Sequence, residues 1–363
     1  MNPSNFSESF FTKPPWENIH STLWPASLFT LRRNLKKYPF PHQQSETEAR
    51  LVSETIRQAC SRSHFLKDPI FLNLAELTAI QKEFIYEHFF VPEGIVQDRL
   101  HQGLIFDASG TFVIGINLSN HLTLHKIDFT SSWHEAWGFL SQADHELSQH
   151  LDYAFCPKFG FLTSDLRHCG TGLTLNASLH LPALLQLEMA TKLEELVKNE
   201  DILITPMQTS TAEHVSDIFE GDLVVLQNRF HLGVKEDSLL HHLYNAATQL
   251  VNLEKSHRIQ IKAGDFPEIK DAVSRSFGLL LHSYQLPTSE AFMALSFLKL
   301  GADLGWVKGI SDKELNNLLF RCRRGHLLMQ ASEELPHDKI LHKRASTIHS
   351  ALKDTSLTFD NDI

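Results

Sequence analysis

Cysteine is scarce in this chain. Cys60, Cys156, Cys169 and Cys322 are the only four in 363 residues, too few to staple a chain of that length with disulfides. No two of them form a CxxC pair, so the usual zinc spacing is absent. Such sparse usage fits a reducing cytoplasm, which is the expected location. Long apolar runs are missing too. None reaches the roughly 18 residues that suggest a membrane helix, so no membrane partner is expected. The opening MNPSNFSESFFTKPPWENIH lacks a basic stretch followed by an apolar one, so it reads as a flexible arm over residues 1–20 and not as a secretory signal. Positive charge is also in deficit. The net charge is -10, spread along the chain, which argues against nucleic acid because phosphate binding needs a positive face. Histidine is plentiful at 22, but His121/His125 and His241/His242 have no carboxylate or thiolate partner at ligand spacing, so no metal site is expected.

What remains is ordinary globular material: 42% hydrophobic, 21% charged, and long enough for two domains. SETEARLVSETIRQACSR spaces Ala49, Val52, Ile56 and Cys60 as one helix face, with Ser45 and Glu48 as a capping-box pair. ELTAIQKEFIYEHFF reads as a second helix. Phe112 to Phe129 reads as a hairpin with its tip at Ser119-Asn120, and His121 and His125 on the return strand. Ser131 to Phe155 reads as a helix capped by Ser132. GLTLNASLHLPA is the clearest strand: Leu173, Leu175, Ala177, Leu179 and Leu181 line one face, and Thr174, Asn176, Ser178 and His180 the other. That second face suits the lining of a pocket. A long helix is expected to Arg258, then a mostly helical remainder, including DKELNNLLFRCRRGHLLMQ as one segment.

With these elements in order, LDYAFCPKFGFLTSD, GTGLTLNASLHLPAL, LQNRFHLGVKED, AATQLVNLEKSHR, SRSFGLL, LKLGADLGWVKGIS and KRASTIHSAL carry a resemblance that runs over almost the whole chain. The chain resembles the McsB-type bacterial protein-arginine kinases of the phosphagen (ATP:guanidino) kinase superfamily. The resemblance implies an α+β fold: a phosphotransferase-like domain over 21–258, with a mainly antiparallel sheet flanked by helices, and a helical dimerisation or regulatory domain over 259–363. It also implies ATP with Mg²⁺ as cofactor, protein substrates, a McsA-like activator, a ClpC-type unfoldase as partner, and a homodimer.

The family's chemistry moves a phosphoryl group from ATP to a guanidinium, using arginines around the phosphates, two carboxylates and a reactive cysteine. Matched residue by residue, this chain departs from that set. In SLFTLRRN, Leu28 and Thr30 stand at two phosphate-arginine positions, while Arg33 and Asn34 match the part of the motif that packs. In INLSNHLT, Leu118 and Ser119 replace glutamates, Asn120 an aspartate and Thr123 an arginine; Asn117 and His121 match. In DLRHCGTGLT, Asp165 takes the cysteine position and Thr174 the fourth arginine, with Cys169 four residues further on. Ser210 replaces the fifth arginine and Val215 a glutamate. His88 corresponds to a family histidine at the nucleotide pocket, or else is a satisfied loop histidine. Arg344, in ILHKRA, keeps part of a phosphoarginine-reading pattern, against a solvated helix arginine as the plainer reading. Arg321, Arg323 and Arg324 read as a charged helix face or as a surface for an acidic partner.

Three functions follow as expectations. The first is a pseudokinase acting as scaffold or regulator, with no resident cofactor or with residual ATP-Mg binding. The second is an active, divergent kinase that uses Asp165 and Arg167. The third is a pocket turned to another ligand by the hydroxyls of Thr123, Thr174, Ser178 and Ser210.

Overall fold

A computed structural model describes residues 14, 16, 19, 21–89, 101–188, 193–197, 200–206, 220–331 and 335–359. Ser210 and Val215 lie outside these. The centre is an eight-stranded sheet in which each neighbouring pair is antiparallel. Its strands are β1 (Ala26–Arg33), β2 (Ile70–Asn73), β3 (Gly103–Phe106), β4 (Phe112–Ile116), β5 (Leu122–Asp128), β8 (Leu173–His180), β9 (Ile202–Pro206) and β10 (Leu223–Asn228), in the order β2-β3-β4-β5-β1-β8-β10-β9. A small hairpin of β6 (Phe155–Cys156) and β7 (Gly160–Phe161) stands apart. The architecture is α+β, as the resemblance implies.

Strand alternation divides the sheet into two faces. Phe29 and Leu31 of β1 lie with Leu124 of β5 and Leu173 and Leu175 of β8. This face packs against α1 (Glu46–Arg62), α3 (Trp133–Ser148) and α6 (Glu236–Ala263) in the largest core cluster. Ser45 closes the expected capping box with Glu48, and Val52, Ile56 and Cys60 turn inward. Each fully buried Leu or Phe of this kind contributes about 1.5–3 kcal/mol relative to exposure. On the opposite face, Leu28, Leu104, Phe106, Val113 and Ile127 pack under α2 (Ala79–Phe89).

Three helix expectations are corrected. The helix beginning at Ser131 ends at Ser148, because the chain beyond it bonds to the segment after β1: Lys36 N–H donates to Asp152 and Ala154 N–H to Asn34. Ser132 is the N-cap residue, but its side chain makes no capping bond. The helix expected to stop at Arg258 continues to Ala263, since Ile261 is buried, and closes at Gly264. DKELNNLLFRCRRGHLLMQ is two helices, Asp312–Arg321 and Arg324–Ala331, broken at Cys322-Arg323.

The remaining helices are α4 (Pro182–Glu188), α5 (Leu193–Val197), α7 (Pro267–His282), α8 (Thr288–Asp303), α9 (Asp312–Arg321), α10 (Arg324–Ala331) and α11 (His337–Leu352). The helices from α7 onward build their own core around Val273, Leu280, Leu295, Leu298 and Ile348. Polar contacts join this core to the sheet. Glu254 accepts N–H bonds from Ala183 and Leu184 at the start of α4 and pairs with Arg258, which also pairs with Asp303 of α8. Ser296 of α8 donates to Asp222 at 2.6 Å and lies 2.8 Å from His180 Nε2. Trp16, inside the stretch expected to be a flexible arm, is 3% exposed, stacks on Phe320 and donates to Asn317.

Glu254→Ala removes an acceptor for two N–H groups and a partner of a buried guanidinium. The expected loss is about 3–5 kcal/mol in urea unfolding, whereas Lys255→Ala on the exposed side changes stability by less than about 0.5 kcal/mol.

Candidate functional site

Residues paired directly across strands share a face, so the register assembles the site. Thr30 lies opposite His125 on β5 and Thr174 on β8; Leu28 lies opposite Ile127 and Asn176; Arg32 lies opposite Thr123. The sheet thus brings together Leu28, Thr30, Thr123, Thr174, Asn176 and Ser178, which stand far apart in the sequence. Three further residues join them that the sequence reading left without a role: Arg32, His125 and His231. Two of these carry a signal in the sequence. Arg32 is two residues beyond Thr30 and His125 two beyond Thr123, so a period of two places them on the same face. His231 arrives from the loop after β10, and no local pattern announces it.

Hydrogen bonds run within the group. Thr30 Oγ1 is 2.9 Å from His125 Nδ1, and His125 Nε2 is 3.2 Å from the Phe89 carbonyl. A carbonyl only accepts, so Nε2 carries the proton and Nδ1 accepts from the Thr30 hydroxyl. Arg32 Nη1 donates to Thr174 Oγ1 at 2.6 Å, and Thr174 Oγ1 lies 3.1 Å from His231 Nε2. Burial first, then His168 and Arg32 nearby, push the His231 pKa down to about 4. Thr30, Arg32, Thr174, Ser178 and His125 are all at most 3% exposed. The polar face expected to line a wide pocket is therefore largely filled and self-bonded. Asn176 is half-buried, and its Oδ1 has no hydrogen-bond partner among the described residues. Leu28 belongs to the apolar cluster with Trp16, Phe84 and Phe89.

Around this face the loops are pinned by backbone. Gly170 adopts φ 118° and Gly172 φ 67°, conformations that favour glycine. A Cβ on Gly170 would run into the His231 carbonyl. The turn's N–H groups are partly spent: Gly170 donates to Phe161 and Thr171 to His231. Asp165 is held by Arg167 through two-pronged contacts of 2.6–3.1 Å. Chiefly this side-chain bond draws the Asp165 pKa down to about 2. Cys169 is buried, with Sγ 3.4 Å from Thr163 Oγ1. Ser119 sits half-buried in the hairpin tip. Beside it, Asn120 Oδ1 accepts from Asn34 Nδ2 and Ser164 N–H, tying hairpin, β1 and loop together.

Both histidines carried over from the resemblance are buried. His121 Nδ1 accepts the Leu35 N–H at 2.9 Å while Nε2 lies 2.8 Å from the Pro39 carbonyl, an arrangement for a neutral ring. His88 stands among Trp16, Phe84, Phe89 and His326, with ring centroids 4.4–5.4 Å apart. In the C-terminal helices, Arg344 is not a solvated arginine. It is 1% exposed, and its Nε donates to Cys322 O at 2.7 Å and Nη1 to Leu286 O at 2.8 Å, which caps the end of α9. Nor do the three neighbouring arginines form one charged face. Arg323 is buried and donates to the Glu87 carbonyl, Arg324 pairs with Glu83, and Arg321 is exposed.

Desolvation pushes the His88 pKa down to about 3 and that of His121 to about 4. Below pH 6.5 the unfolded chain therefore binds protons that these folded sites refuse. The contribution of each histidine is full above pH 6.5, falls as the pH drops, and levels off below about 4 for His121 and about 3 for His88. Glu87, whose pKa is raised to about 8, acts in the opposite direction, so the His121 share is the difference between wild type and variant. The expected slope is at most about 1.4 kcal/mol per pH unit for each histidine. Urea unfolding at pH 7, 6 and 5 measures it, and His121→Gln should flatten the curve; an unaltered slope would exonerate that imidazole.

Comparison with known proteins agrees with this architecture. The description "ATP:guanido phosphotransferase, C-terminal catalytic domain" matches residues 51–257, and "Protein-arginine kinase McsB C-terminal domain" matches 267–361. A protein-arginine kinase of Chlamydia pneumoniae is 35% identical over 92% of this chain and 93% of its own. Another from Chlamydia muridarum is 33% identical over 89% and 88%, respectively. Among solved structures, a lombricine kinase superposes with a TM-score of 0.55 at 19% identity, covering 64% of this chain and 66% of that one. The duplicated taurocyamine kinase from Schistosoma mansoni, with bound transition-state-analogue components, gives 0.58 at 15% over 79% and 47%. These two speak for the fold alone. Likeness that runs through both the sheet and the C-terminal helices makes this chain a member of the ATP:guanido phosphotransferase family, alongside the protein-arginine kinases.

Proposed function

We propose that this chain has given up most or all phosphoryl transfer and works by binding, as a pseudokinase scaffold or regulator in cytoplasmic Clp-type protein quality control. Its proposed partners are a McsA-like activator, a ClpC-type unfoldase and protein substrates. Residues 21–258 would form the phosphotransferase-like domain, and 259–363 a helical domain through which two copies pair.

The observation that carries this reading is the closed face around Thr30 and Thr174. Where the resemblance calls for cations, Thr30 and Thr174 are bonded to His125, Arg32 and His231, and Leu28 lies in an apolar cluster. A magnesium triphosphate does not fit such a set. Each charge-assisted bond to phosphate is worth about 1.5–3 kcal/mol, so neutral replacements forfeit most of the hold on a polyanion. Among the described residues of β1, β5 and β8 on this face there is no carboxylate to act as base or metal ligand. Asp165, at the reactive-cysteine position, pairs with Arg167 at the surface.

One observation favours the second reading, an active divergent kinase. Arg32 is a guanidinium at the centre of the ancestral face, and it bonds to the residue that replaces a phosphate-binding arginine. Reoriented, it would supply one positive charge where the family deploys several.

Incubation of the purified chain with ATP-Mg²⁺ and an arginine-rich protein, read by mass spectrometry under conditions that preserve phosphoarginine, decides between them. No modification above background is expected. Robust phosphoarginine that disappears in Arg32→Met or Asp165→Ala would overturn the pseudokinase reading. Affinity capture with McsA-like and ClpC-type proteins tests the scaffold role, which fails if neither associates.

A further inference from the structure

An open cleft lies away from the face just described. It lies on the helix-covered side of the sheet, between the N-terminal turns of α3 and α6, and has a volume of about 770 Å³. Trp133 and Trp137, four residues apart, project from one turn of α3 to the next; Asp237, Leu240 and Tyr244 follow the matching stripe on α6. The aromatic part is rigidly held. Trp133 donates to Ser27 Oγ at 2.7 Å, and its ring meets those of Trp24 and Tyr244 at 5.6 and 5.7 Å. Yet Tyr244 is 40% exposed and Trp137 half-buried, which leaves aromatic surface open to the cleft.

Two carboxylates, Glu135 and Asp237, line this surface, and among the described lining residues there is no lysine or arginine. His134, His241 and the Tyr244 phenol are the other ionisable groups among its described lining residues. A carboxylate in a first helical turn is ordinary, because it meets the positive end of its own helix. Here, however, one comes from each helix, and both flank a shared aromatic surface. Aromatic faces attract cations, and a carboxylate beside them adds a directional acceptor for N–H donors. A space of this size suits a short peptide segment better than a lone ion.

We propose that this cleft is a binding site for an organic cation carried on a peptide, a basic side chain of a partner protein seated against Trp137 and Tyr244 and anchored by Glu135 and Asp237. The site is separate from the Thr30–Thr174 face, and the proposal stands whether or not the chain retains phosphotransfer.

Calorimetric titration of the full chain with the peptide Ac-Gly-Arg-Gly-Arg-Gly-amide, and with the same peptide bearing citrulline for arginine, tests it. Citrulline keeps the shape and removes the charge. The arginine peptide should bind saturably and the citrulline peptide at least about tenfold more weakly. Trp137→Ala and the double variant Glu135→Gln/Asp237→Asn should each weaken the arginine peptide by about tenfold or more while still unfolding cooperatively well above the assay temperature. A trimethyllysine peptide separates the two sources of charge: equal binding makes the site general for organic cations, and weaker binding makes it selective for guanidinium. Equal affinity for arginine and citrulline, no saturable binding of any cationic peptide, or wild-type affinity in the stably folded double variant would overturn the proposal.

Discussion

A polar atom shut away from water must find a partner or weaken the fold, and that requirement governs the middle of this molecule. β1 is buried on both faces along its whole length. One face can be apolar because helices cover it. The other carries hydroxyls, an arginine and imidazoles in the centre of a wide sheet. Threonine stands at 30, 123 and 174, and among the described residues of β1, β5 and β8 on this face Arg32 is the one arginine or lysine. The side chains turn to one another, through Thr30 to His125 and through Arg32 to Thr174 and His231. These bonds satisfy most of the buried polar atoms of the group, and Asn176 Oδ1 is left without a partner among the described residues.

The same economy organises the junction between sheet and C-terminal helices. Arginines that would ordinarily face solvent are drawn inside. Arg344 closes the C-terminal carbonyls of α9, and Arg323 and Arg324 reach back to α2 through Glu87 and Glu83. Burial of Glu87 raises its pKa to about 8, and the neighbouring Arg323 guanidinium opposes that rise. Trp16 enters between α2 and the α9–α10 corner and stacks on Phe320. These contacts link segments more than 200 residues apart, so the helices from α7 onward are built onto the sheet and do not hang from it.

A cleft on the opposite side of the sheet remains open to the aromatic faces of Trp137 and Tyr244. The contrast is physical. Hydroxyls and imidazoles can satisfy one another and close, whereas two carboxylates only accept hydrogen bonds and cannot pair with each other.

Much of this was legible along the chain. The period of β8 separated its leucines from Thr174, Asn176 and Ser178, and the Ser45–Glu48 pair announced the start of α1, because alternation and capping are short-range. The resemblance singled out positions 28, 30, 123 and 174 for the same reason, each being readable in its own motif. Helix ends were less legible. The stop at Ser148 depends on hydrogen bonds to residues 34 and 36, and the break at Cys322 on a turn capped from residue 344. Sequence by itself determined which side chains share a strand face and which charges are absent. Only the tertiary structure decided that Thr174 meets Arg32 and His231, that Arg344 is a cap, and that two distant helices frame an aromatic cleft. Those outcomes depend on register and packing between segments far apart in the chain, where no local spacing carries the information.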